Sequence, residues 1–317
     1  MTAVIGVDLG GTKTEVVVAR WLGDRLLELE RSRVATPRDE GYDAIIESTA
    51  AHVERCARRA GVSLDAVKIG VGMPGGVERR TGFVKNSNTT CLNNRPFRQD
   101  LARRLGYAIR FENDANCFAL AEVVLGAFRE LERGVVFGVI LGTGVGGAVV
   151  IDRRVWSGLH GIAGEWGHHA VYNREPRRAS TDPNLESERC YCGKVGCLET
   201  FASGPALERR YRELTGRSRS LAEIDAAADN DEAAALVMSE LVDAFGRGLA
   251  NVIDVLDPSG VVLGGGLSNL ERLYSEGRAR VAKYLFNDEL LTPIVKNALG
   301  DSSGVLGAAL VALADDT

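Results

Sequence analysis

The strongest local signal for chemistry is a group of three cysteines within eight residues, Cys190, Cys192 and Cys197. Glycines between them allow the tight turns that would bring the thiols to one centre. No signal peptide is visible at the N-terminus, so the spacing favours a metal over disulfides. His168 or His169 could supply a fourth ligand. A closed Cys₃His site would hold a structural Zn²⁺, because no position is left open for catalysis. Three buried packing cysteines are the alternative.

Asp8 is the second candidate group, because it stands directly before a glycine turn. The segment Val4–Ala19 has an apolar run, the pair Gly10-Gly11 and a β-branched run, which predicts a hairpin with a polar tip. Backbone N–H groups of such a turn could bind phosphate. A carboxylate beside phosphate repels it unless a cation lies between them, so Asp8 implies Mg²⁺. An aspartate that only caps the turn is the alternative, and Lys13 could either neutralise phosphate or be a solvated lysine.

The segment from Phe137 to Ile151 repeats this pattern 132 residues later. Six positions match between the two copies, beginning with Gly6, Val7 and Leu9 against Gly138, Val139 and Leu141. The repeat predicts a duplicated domain whose two hairpins face each other and hold a polyphosphate. A chance likeness between two glycine hairpins is the alternative. Both hairpins fail the familiar Walker and dinucleotide motifs, the first by one inserted residue and the second because a strand follows the glycines.

Asp114 follows a predicted strand and opens a predicted helix, in the sequence Glu112-Asn113-Asp114. Strand ends in α/β sheets face the ligand crevice, so Asp114 could be a general base. It could equally be a helix N-cap.

The elements that must position these residues alternate between helix and strand, which predicts an α/β fold with covered sheets. Length alone suggests roughly two domains of ~150 residues. Helical spacing or apolar runs predict these elements: helices over Asp39–Ala60, Ala115–Phe128, Asp231–Val255 and Ser303–Ala314, and strands over Val67–Gly72, Ile109–Glu112 and Val261–Leu263.

Composition excludes several classes of protein. The chain has 317 residues, of which 37 are glycine, and 38 basic against 43 acidic residues give a net charge of −5, which argues against nucleic acid as a partner. The uncharged stretch Gly134–Ile151 reaches the length of a membrane span, but its glycines predict two buried strands around a turn. We therefore expect a cytoplasmic protein without a membrane segment.

Seven segments together resemble the motifs of the ROK family, within the actin/hexokinase-like ATPase superfamily, along nearly the whole chain. They are DLGGTKT (8–14), GMPG (72–75), END (112–114), LGTGVGG (141–147), GEWGH (164–168), CYCGKVGCLE (190–199) and VLGGG (262–266). The resemblance implies a two-lobed, actin-like ATPase fold of duplicated ribonuclease H-like domains, with the active site in the cleft between the lobes. The expected lobes are residues 1–115 with about 300–317, and residues 116–299 with the zinc loop.

The resemblance also implies a role for each site residue. Asp114 would be the base that takes the proton of a sugar hydroxyl as this attacks the γ-phosphorus of ATP. Asp8 would position Mg²⁺ through water. The hexose would be bound by Asn88, Asn113, Glu165, His168 and Glu199. Zinc would be held by His168, Cys190, Cys192 and Cys197. The nucleotide would lie against Gly10, Gly11, Thr12, Lys13, Gly142, Thr143 and Gly144 at its phosphates, and against Gly264 and Gly265 at its adenosine.

Within the family, the segments TGFVKNSNTTCLN (81–93) and GDSSGV (300–305) are similar to those of bacterial fructokinases that also accept mannose. The expected function is therefore an ATP-dependent kinase of the 6-hydroxyl of fructose. NDANCFAL-E (113–122) resembles the N-acetylglucosamine kinase branch, so a kinase of that sugar or of glucose is the alternative. A sugar-responsive regulator is disfavoured, because the first strand begins near Val4 and leaves no room for a DNA-binding segment. A homodimer is expected, since dimers are the commonest closed assembly and the family favours one.

Overall fold

The computed structural model describes residues 2–78, 80–172 and 189–314. The strands are β1 (Thr2–Leu9), β2 (Lys13–Trp21), β3 (Leu26–Ala35), β4 (Val67–Met73), β5 (Gly76–Val77), β6 (Val84–Lys85), β7 (Ile109–Asn113), β8 (Val135–Leu141), β9 (Val145–Ile151), β10 (Arg154–Val155), β11 (Gly260–Gly264) and β12 (Ile294–Lys296). The α-helices are α1 (Tyr42–Arg59), α2 (Phe97–Leu105), α3 (Asp114–Val124), α4 (Glu199–Ala202), α5 (Gly204–Thr215), α6 (Leu221–Ala227), α7 (Glu232–Leu256), α8 (Glu276–Tyr284) and α9 (Ser303–Val311). The predicted α/β class is confirmed.

The first sheet has the strand order β3-β2-β1-β4-β7. The β1 strand is antiparallel to β2 and parallel to β4, and β4 is parallel to β7. Because β1, β4 and β7 run in one direction, their carboxyl ends lie at the same edge of the sheet. The register pairs Asp8 with Gly72 and Gly72 with Glu112, so the sheet brings Asp8 close to the start of α3.

The second sheet has the order β10-β9-β8-β11-β12, which repeats the connectivity of the first. Each sheet begins with a hairpin. A later strand pairs in parallel with the first strand of that hairpin, and a further strand pairs in parallel with that later strand. This common topology supports the duplication that the sequence repeat predicts. The uncharged stretch forms β8 and β9, as predicted. No helix in the described part of the chain is both long and apolar enough to cross a membrane.

The chain divides into two compact units. Unit 1 contains Met1–Arg133, Ala148–Ala163 and Ala298–Thr317, and unit 2 contains Gly134–Gly147 and Gly164–Asn297. These bounds differ from the expected lobes of 1–115 with about 300–317 and of 116–299. The physical reason lies in α3, which begins at Asp114 and packs within unit 1 against α9, where Gly307 faces the backbone of Cys117.

Both faces of the first sheet are covered, as the unbroken run of buried residues from Val4 to Val7 in β1 requires. Ile5 and Val7 join a core with α1 and α2, whereas Val4 joins a smaller core with α9. Helix α9 lies so close to the sheet that glycines are needed beneath it. A Cβ atom at Gly70 would meet the carbonyl oxygen of Ala308 and lie 2.8 Å from the nitrogen of Ala312.

One expected element bound is wrong, and one strand lies outside the predicted elements. The helix predicted over Ala115–Phe128 ends at Val124, because the chain then turns around the Glu122 carboxylate, which accepts a hydrogen bond from the Ala127 N–H group at 3.0 Å. The strand β3 has no counterpart in the prediction. Most of its residues are half-buried or exposed, and several are charged, so its apolar residues do not form a pattern that predicts a strand. The strand is instead defined by its hydrogen-bonded pairing with β2.

Candidate active site and metal centre

The turn between β1 and β2 is fixed by hydrogen bonds of its own backbone and by Thr36. The Gly10 N–H group donates to the Lys13 carbonyl at 2.9 Å, and the Thr36 hydroxyl donates to the Gly10 carbonyl at 2.8 Å. The side chains of Thr12 and Lys13 are exposed at its tip. Such a turn presents backbone N–H groups and one positive charge, the donors that suit phosphate oxygens. Sequence reasoning missed Thr36, because no local motif connects it to residues 26 positions earlier.

Asp8 is half-buried at the start of this turn. Burial first, and then the negative charges of Asp114 and Glu15, raise the pKa of Asp8 from 3.8 to about 7, while Lys13 and Arg33 act in the opposite direction. The carboxylate is therefore costly to ionise in the free protein. A cation placed beside it would remove that cost.

The structure shows which residue caps α3, a question that the sequence left open for Asp114. The Asn113 side chain is the N-cap of α3, since its Oδ1 accepts from the Ala115 and Asn116 N–H groups, and its Nδ2 donates to the Gly75 carbonyl at 2.9 Å. Asp114 is the first helical residue and not the N-cap, although its Oδ1 accepts from the Ala115 N–H group at 2.9 Å. Burial raises the pKa of Asp114. Asp114 lies near Asp8, since its negative charge raises the pKa of the Asp8 carboxyl.

A cavity of about 330 Å³ lies next to Asn113 and is lined on its polar side by Glu112 and Ser157. This volume lies at the lower end of the range of small-molecule sites, about 300–1,000 Å³. The Glu112 carboxylate is held by the Asn113 N–H group at 2.9 Å, by Asn116 Nδ2 at 2.8 Å and by the Ser157 hydroxyl at 3.1 Å. No role was expected from the sequence for Glu112 or Ser157, although Glu112 directly precedes Asn113.

Asn88 lies beside the first glycine turn. A Cβ atom at Gly11 would be 3.7 Å from Asn88 Oδ1 and 3.5 Å from the Thr89 hydroxyl oxygen. The side chain of Asn88 is exposed. Unit 1 thus brings together the predicted residues Asp8, Gly10 to Lys13, Asn88, Asn113 and Asp114.

In unit 2, the ligand atoms of His168, Cys190, Cys192 and Cys197 all lie within 4.8 Å of one another. The Cys192 and Cys197 sulfurs are 3.6 Å apart, and the Cys190 sulfur is 3.4 Å from His168 Nδ1. With Zn–S and Zn–N distances of about 2.3 and 2.0 Å, a regular tetrahedron has S–S edges of about 3.8 Å and S–N edges of about 3.5 Å. The donor set and its spacing therefore fit zinc.

His168, and not His169, lies with the cysteines. The His169 ring packs against Trp166 with centroids 6.4 Å apart, and burial lowers the pKa of His169. The second nitrogen of His168, Nε2, is 2.9 Å from the Tyr191 hydroxyl and 3.9 Å from Glu165 Oε2. The two ring nitrogens of His168 thus face different groups, so that one can bind a metal while the other binds a polar ligand.

Glu199 lies beside the glycine turn that joins β8 to β9. Its Oε2 accepts from the Val145 N–H group at 3.0 Å, and a Cβ atom at Gly144 would be 2.8 Å from the same oxygen. Thr143 is exposed at the tip of this turn.

A third glycine turn begins at Gly264, the last residue of β11, and continues through Gly265 at the same end of the sheet. Gly265 has a φ of 78°, and a Cβ atom there would be 2.8 Å from the carbonyl carbon of Leu141. Only glycine combines this conformation with this close approach. Gly142 lies next to the same turn, since a Cβ atom there would be 3.9 Å from the Gly266 nitrogen.

Two sheets of the same strand order, each opening with a glycine hairpin, define the actin/hexokinase-like ATPase fold. The chain belongs to the ROK family, whose model matches residues 4–315.

Relatives and solved structures agree with this assignment. The chain is 36% identical over 309 residues to an N-acetyl-D-glucosamine kinase of Haemophilus influenzae (strain 86-028NP), and the match covers 97% of this chain and 98% of the relative. A ROK hexokinase from Thermus thermophilus has a TM-score of 0.83 at 34% identity, with 98% of both chains covered. A ROK family glucokinase from Streptomyces griseus, solved with glucose and AMPPNP, has a TM-score of 0.75 at 28% identity, again with 98% of both chains covered.

Proposed function

We propose that this protein is an ATP-dependent kinase of N-acetylglucosamine, with the 6-hydroxyl as the acceptor. The observation that carries the proposal is the placement of Asp114 in a chain of this family. A buried carboxylate with a raised pKa, near Asp8 and the turn at residues 10–13, suits a base that takes a proton from a hydroxyl. Glycine turns and charged side chains around such a base suit phosphoryl transfer, because positioning and charge stabilisation dominate the catalysis of that reaction.

The choice of sugar rests on the relatives and on one sequence segment. The Haemophilus relative named for N-acetylglucosamine covers nearly the whole chain, and the segment 113–122 resembles the same branch. These observations support N-acetylglucosamine over fructose, the first expectation from the sequence. Fructose remains the second candidate, because the segments 81–93 and 300–305 are similar to fructokinases.

The residues of unit 1 would act on the sugar and on the phosphates. Asn113, held rigidly as an N-cap, and Asn88 would donate or accept hydrogen bonds at sugar hydroxyls, while Asp114 would accept the proton of the attacking one. Asp8 would hold Mg²⁺ through water, and Gly10 to Lys13 would bind phosphate oxygens. Mg²⁺ bound with ATP neutralises the charge that develops on the β- and γ-phosphates.

The residues of unit 2 would complete the recognition of both substrates. Glu165, His168 and Glu199 would bind sugar hydroxyls, which are uncharged and suit carboxylate and imidazole acceptors. The turn at Gly142, Thr143 and Gly144 would bind phosphate, and Gly264 and Gly265 would allow adenosine to approach the backbone.

A structural Zn²⁺ is part of the proposal. His168 Nδ1 and the sulfurs of Cys190, Cys192 and Cys197 would hold it, and the fit of their spacing to a tetrahedron supports this assignment. The metal would fix the ring of His168, so that Nε2 points to the side of Glu165. We further propose a cytoplasmic homodimer; light scattering of the purified protein tests the dimer.

The test is an ADP-release assay with purified protein, ATP and Mg²⁺, across N-acetylglucosamine, N-acetylgalactosamine, fructose, mannose and glucose. We expect kcat/KM for N-acetylglucosamine to exceed that for fructose at least about tenfold, which corresponds to about 1.4 kcal/mol. Asp114→Asn, purified in the same way, is the control for contaminating kinases. A higher kcat/KM for fructose would establish the second candidate instead, and release of ADP with none of the sugars would refute a sugar kinase.

A further inference from the structure

Glu122 is a fully buried carboxylate on α3, with 0% of the residue exposed. It accepts four hydrogen bonds. Oε2 accepts from the N–H groups of Ala127 at 3.0 Å and Ala298 at 2.9 Å, and Oε1 accepts from the Leu299 N–H group at 3.0 Å and the Ser303 hydroxyl at 2.9 Å. A buried carboxylate is tolerated only when its oxygens are satisfied in this way. No role was expected for Glu122 from the sequence.

Three of the four donors lie in the segment that leads into α9. This segment, 298–303, contains a short 3₁₀ helix at Gly300–Ser302 and then begins α9 at Ser303. The surroundings of Glu122 are closely packed, since a Cβ atom at Gly126 would be 2.9 Å from its Cδ atom. The carboxylate therefore fixes where α9 begins.

The first turn of α9 lies against Asp8. A Cβ atom at Gly304 would be 2.8 Å from Asp8 Oδ2 and 3.1 Å from its Cγ atom. Ser303, which is hydrogen-bonded to Glu122, directly precedes Gly304, which lies against the Asp8 carboxylate. A displacement of the first turn of α9 would therefore change the space available to the Asp8 carboxylate.

We propose that Glu122 is a positioning residue for Asp8, which acts through the 298–303 segment and Gly304. The proposal rests on the proposed function in one respect, the assignment of Asp8 to hold Mg²⁺ with the nucleotide. Loss of the Glu122 hydrogen bonds allows the start of α9 to shift, and Asp8 then no longer holds the cation in its productive place. Glu122 itself touches neither sugar nor nucleotide.

Three variants and one control test this assignment. Glu122→Gln places an amide N–H₂ group opposite N–H donors, Ser303→Ala removes one donor, and Gly304→Ala adds a methyl group directly against Asp8 while Glu122 stays intact. Val311→Ala is the control, because it removes buried apolar volume at the far end of α9, about 10 Å along the helix.

The measurement is calorimetric binding of ADP to the full-length protein, once with Mg²⁺ and once with EDTA. The ratio of the two dissociation constants reports the contribution of Mg²⁺ without any catalysis. Residues that orient a metal-binding group typically contribute about 10- to 100-fold in metal affinity, so we expect Glu122→Gln and Gly304→Ala to reduce the ratio about tenfold. The dissociation constant in EDTA should stay within about twofold of wild type, and Val311→Ala should keep the wild-type ratio although it lowers the thermal midpoint.

A wild-type ratio in folded Glu122→Gln overturns the proposal, as does an equal loss in Val311→Ala. If Glu122→Gln does not fold, Ser303→Ala decides, and a wild-type ratio in that variant overturns the proposal. Failure of the proposed function is separate. A wild-type protein that binds ADP with Mg²⁺ but phosphorylates no sugar refutes the kinase, and the comparison of ratios still decides the role of Glu122. A wild-type ratio of one refutes the assignment of Asp8 and the positioning role together.

Discussion

Replacing Asp8 by asparagine should stabilise the free protein at neutral pH, although we expect it to abolish phosphoryl transfer. The folded protein holds the pKa of Asp8 at about 7, whereas the unfolded chain has the ordinary value of 3.8. At a pH between 3.8 and about 7, Asp8 therefore keeps its proton in the folded state but has lost it in the unfolded state. Stability of the wild-type protein therefore decreases as the pH rises from about 4 to about 7 on account of this group. Asparagine does not ionise, so the variant lacks this decrease.

The magnitude follows from the two pKa values. The difference between 3.8 and about 7 corresponds to about 4 kcal/mol, since each pKa unit is worth about 1.36 kcal/mol. Asp8 keeps some contact with solvent, which screens the charge, so we expect a gain of about 2 kcal/mol at pH 8 and close to none at pH 4. The variant gains stability because ionising the buried Asp8 carboxyl costs free energy in the protein without a bound cation.

The assay is urea unfolding of wild type and Asp8→Asn in EDTA, at pH 5 and pH 8, with the free energy of unfolding taken from the midpoint and slope. Asp65→Asn, at an exposed aspartate of unit 1, is the control. It keeps Asp8, so its free energy of unfolding should follow that of the wild type at both pH values. An Asp8→Asn variant that is equally stable or less stable than wild type at pH 8 would refute the reasoning. A gain that is the same at pH 5 and pH 8 would show that the effect does not come from ionisation.

Three further predictions follow from other sites. Asp114→Asn should fold with an unchanged circular dichroism spectrum and bind sugar, but lose at least about 10³-fold in kcat, because a positioned base contributes about 10²–10⁴-fold; near-normal turnover in the purified variant would contradict the base assignment. Cys192→Ser should lower both the zinc content, measured by atomic emission, and the thermal midpoint, and an unchanged metal stoichiometry would refute the zinc site. Gly70→Ala should destabilise unit 1 by at least about 2 kcal/mol in urea unfolding, because its methyl group meets the α9 backbone at Ala308; a neutral effect would mean that α9 can move away from the sheet.

Much of the fold could be predicted because its signals are local. The two glycine hairpins, the strand over 67–72 and the long helix over 231–255 follow from runs of apolar residues and turn residues that lie next to each other in the chain. The structure places them at Thr2–Trp21, Val135–Ile151, Val67–Met73 and Glu232–Leu256. By contrast, β3 could not be predicted, because its sequence is highly charged and its strand is defined by its pairing with β2.

The candidate site shows the same division. Residue types and spacing alone indicated three cysteines with a histidine, an aspartate before a glycine turn, and an aspartate at a strand end. The resemblance to a family supplied their roles. Sequence could not choose between His168 and His169, because adjacent residues share every local feature, and only the path of the backbone turns one ring to the cysteines and the other to Trp166.

The sequence by itself determined which chemical groups are present and which short segments hold them, because turn formation, helical periodicity and metal-ligand spacing depend on near neighbours in the chain. Only the tertiary structure decided which groups meet. Glu122 and Ser303 are 181 residues apart, and Thr36 and Gly10 are 26 apart, yet each pair is joined by a hydrogen bond. The raised pKa of Asp8 is likewise a property of burial and of the nearby Asp114 charge, which exist only in the folded chain.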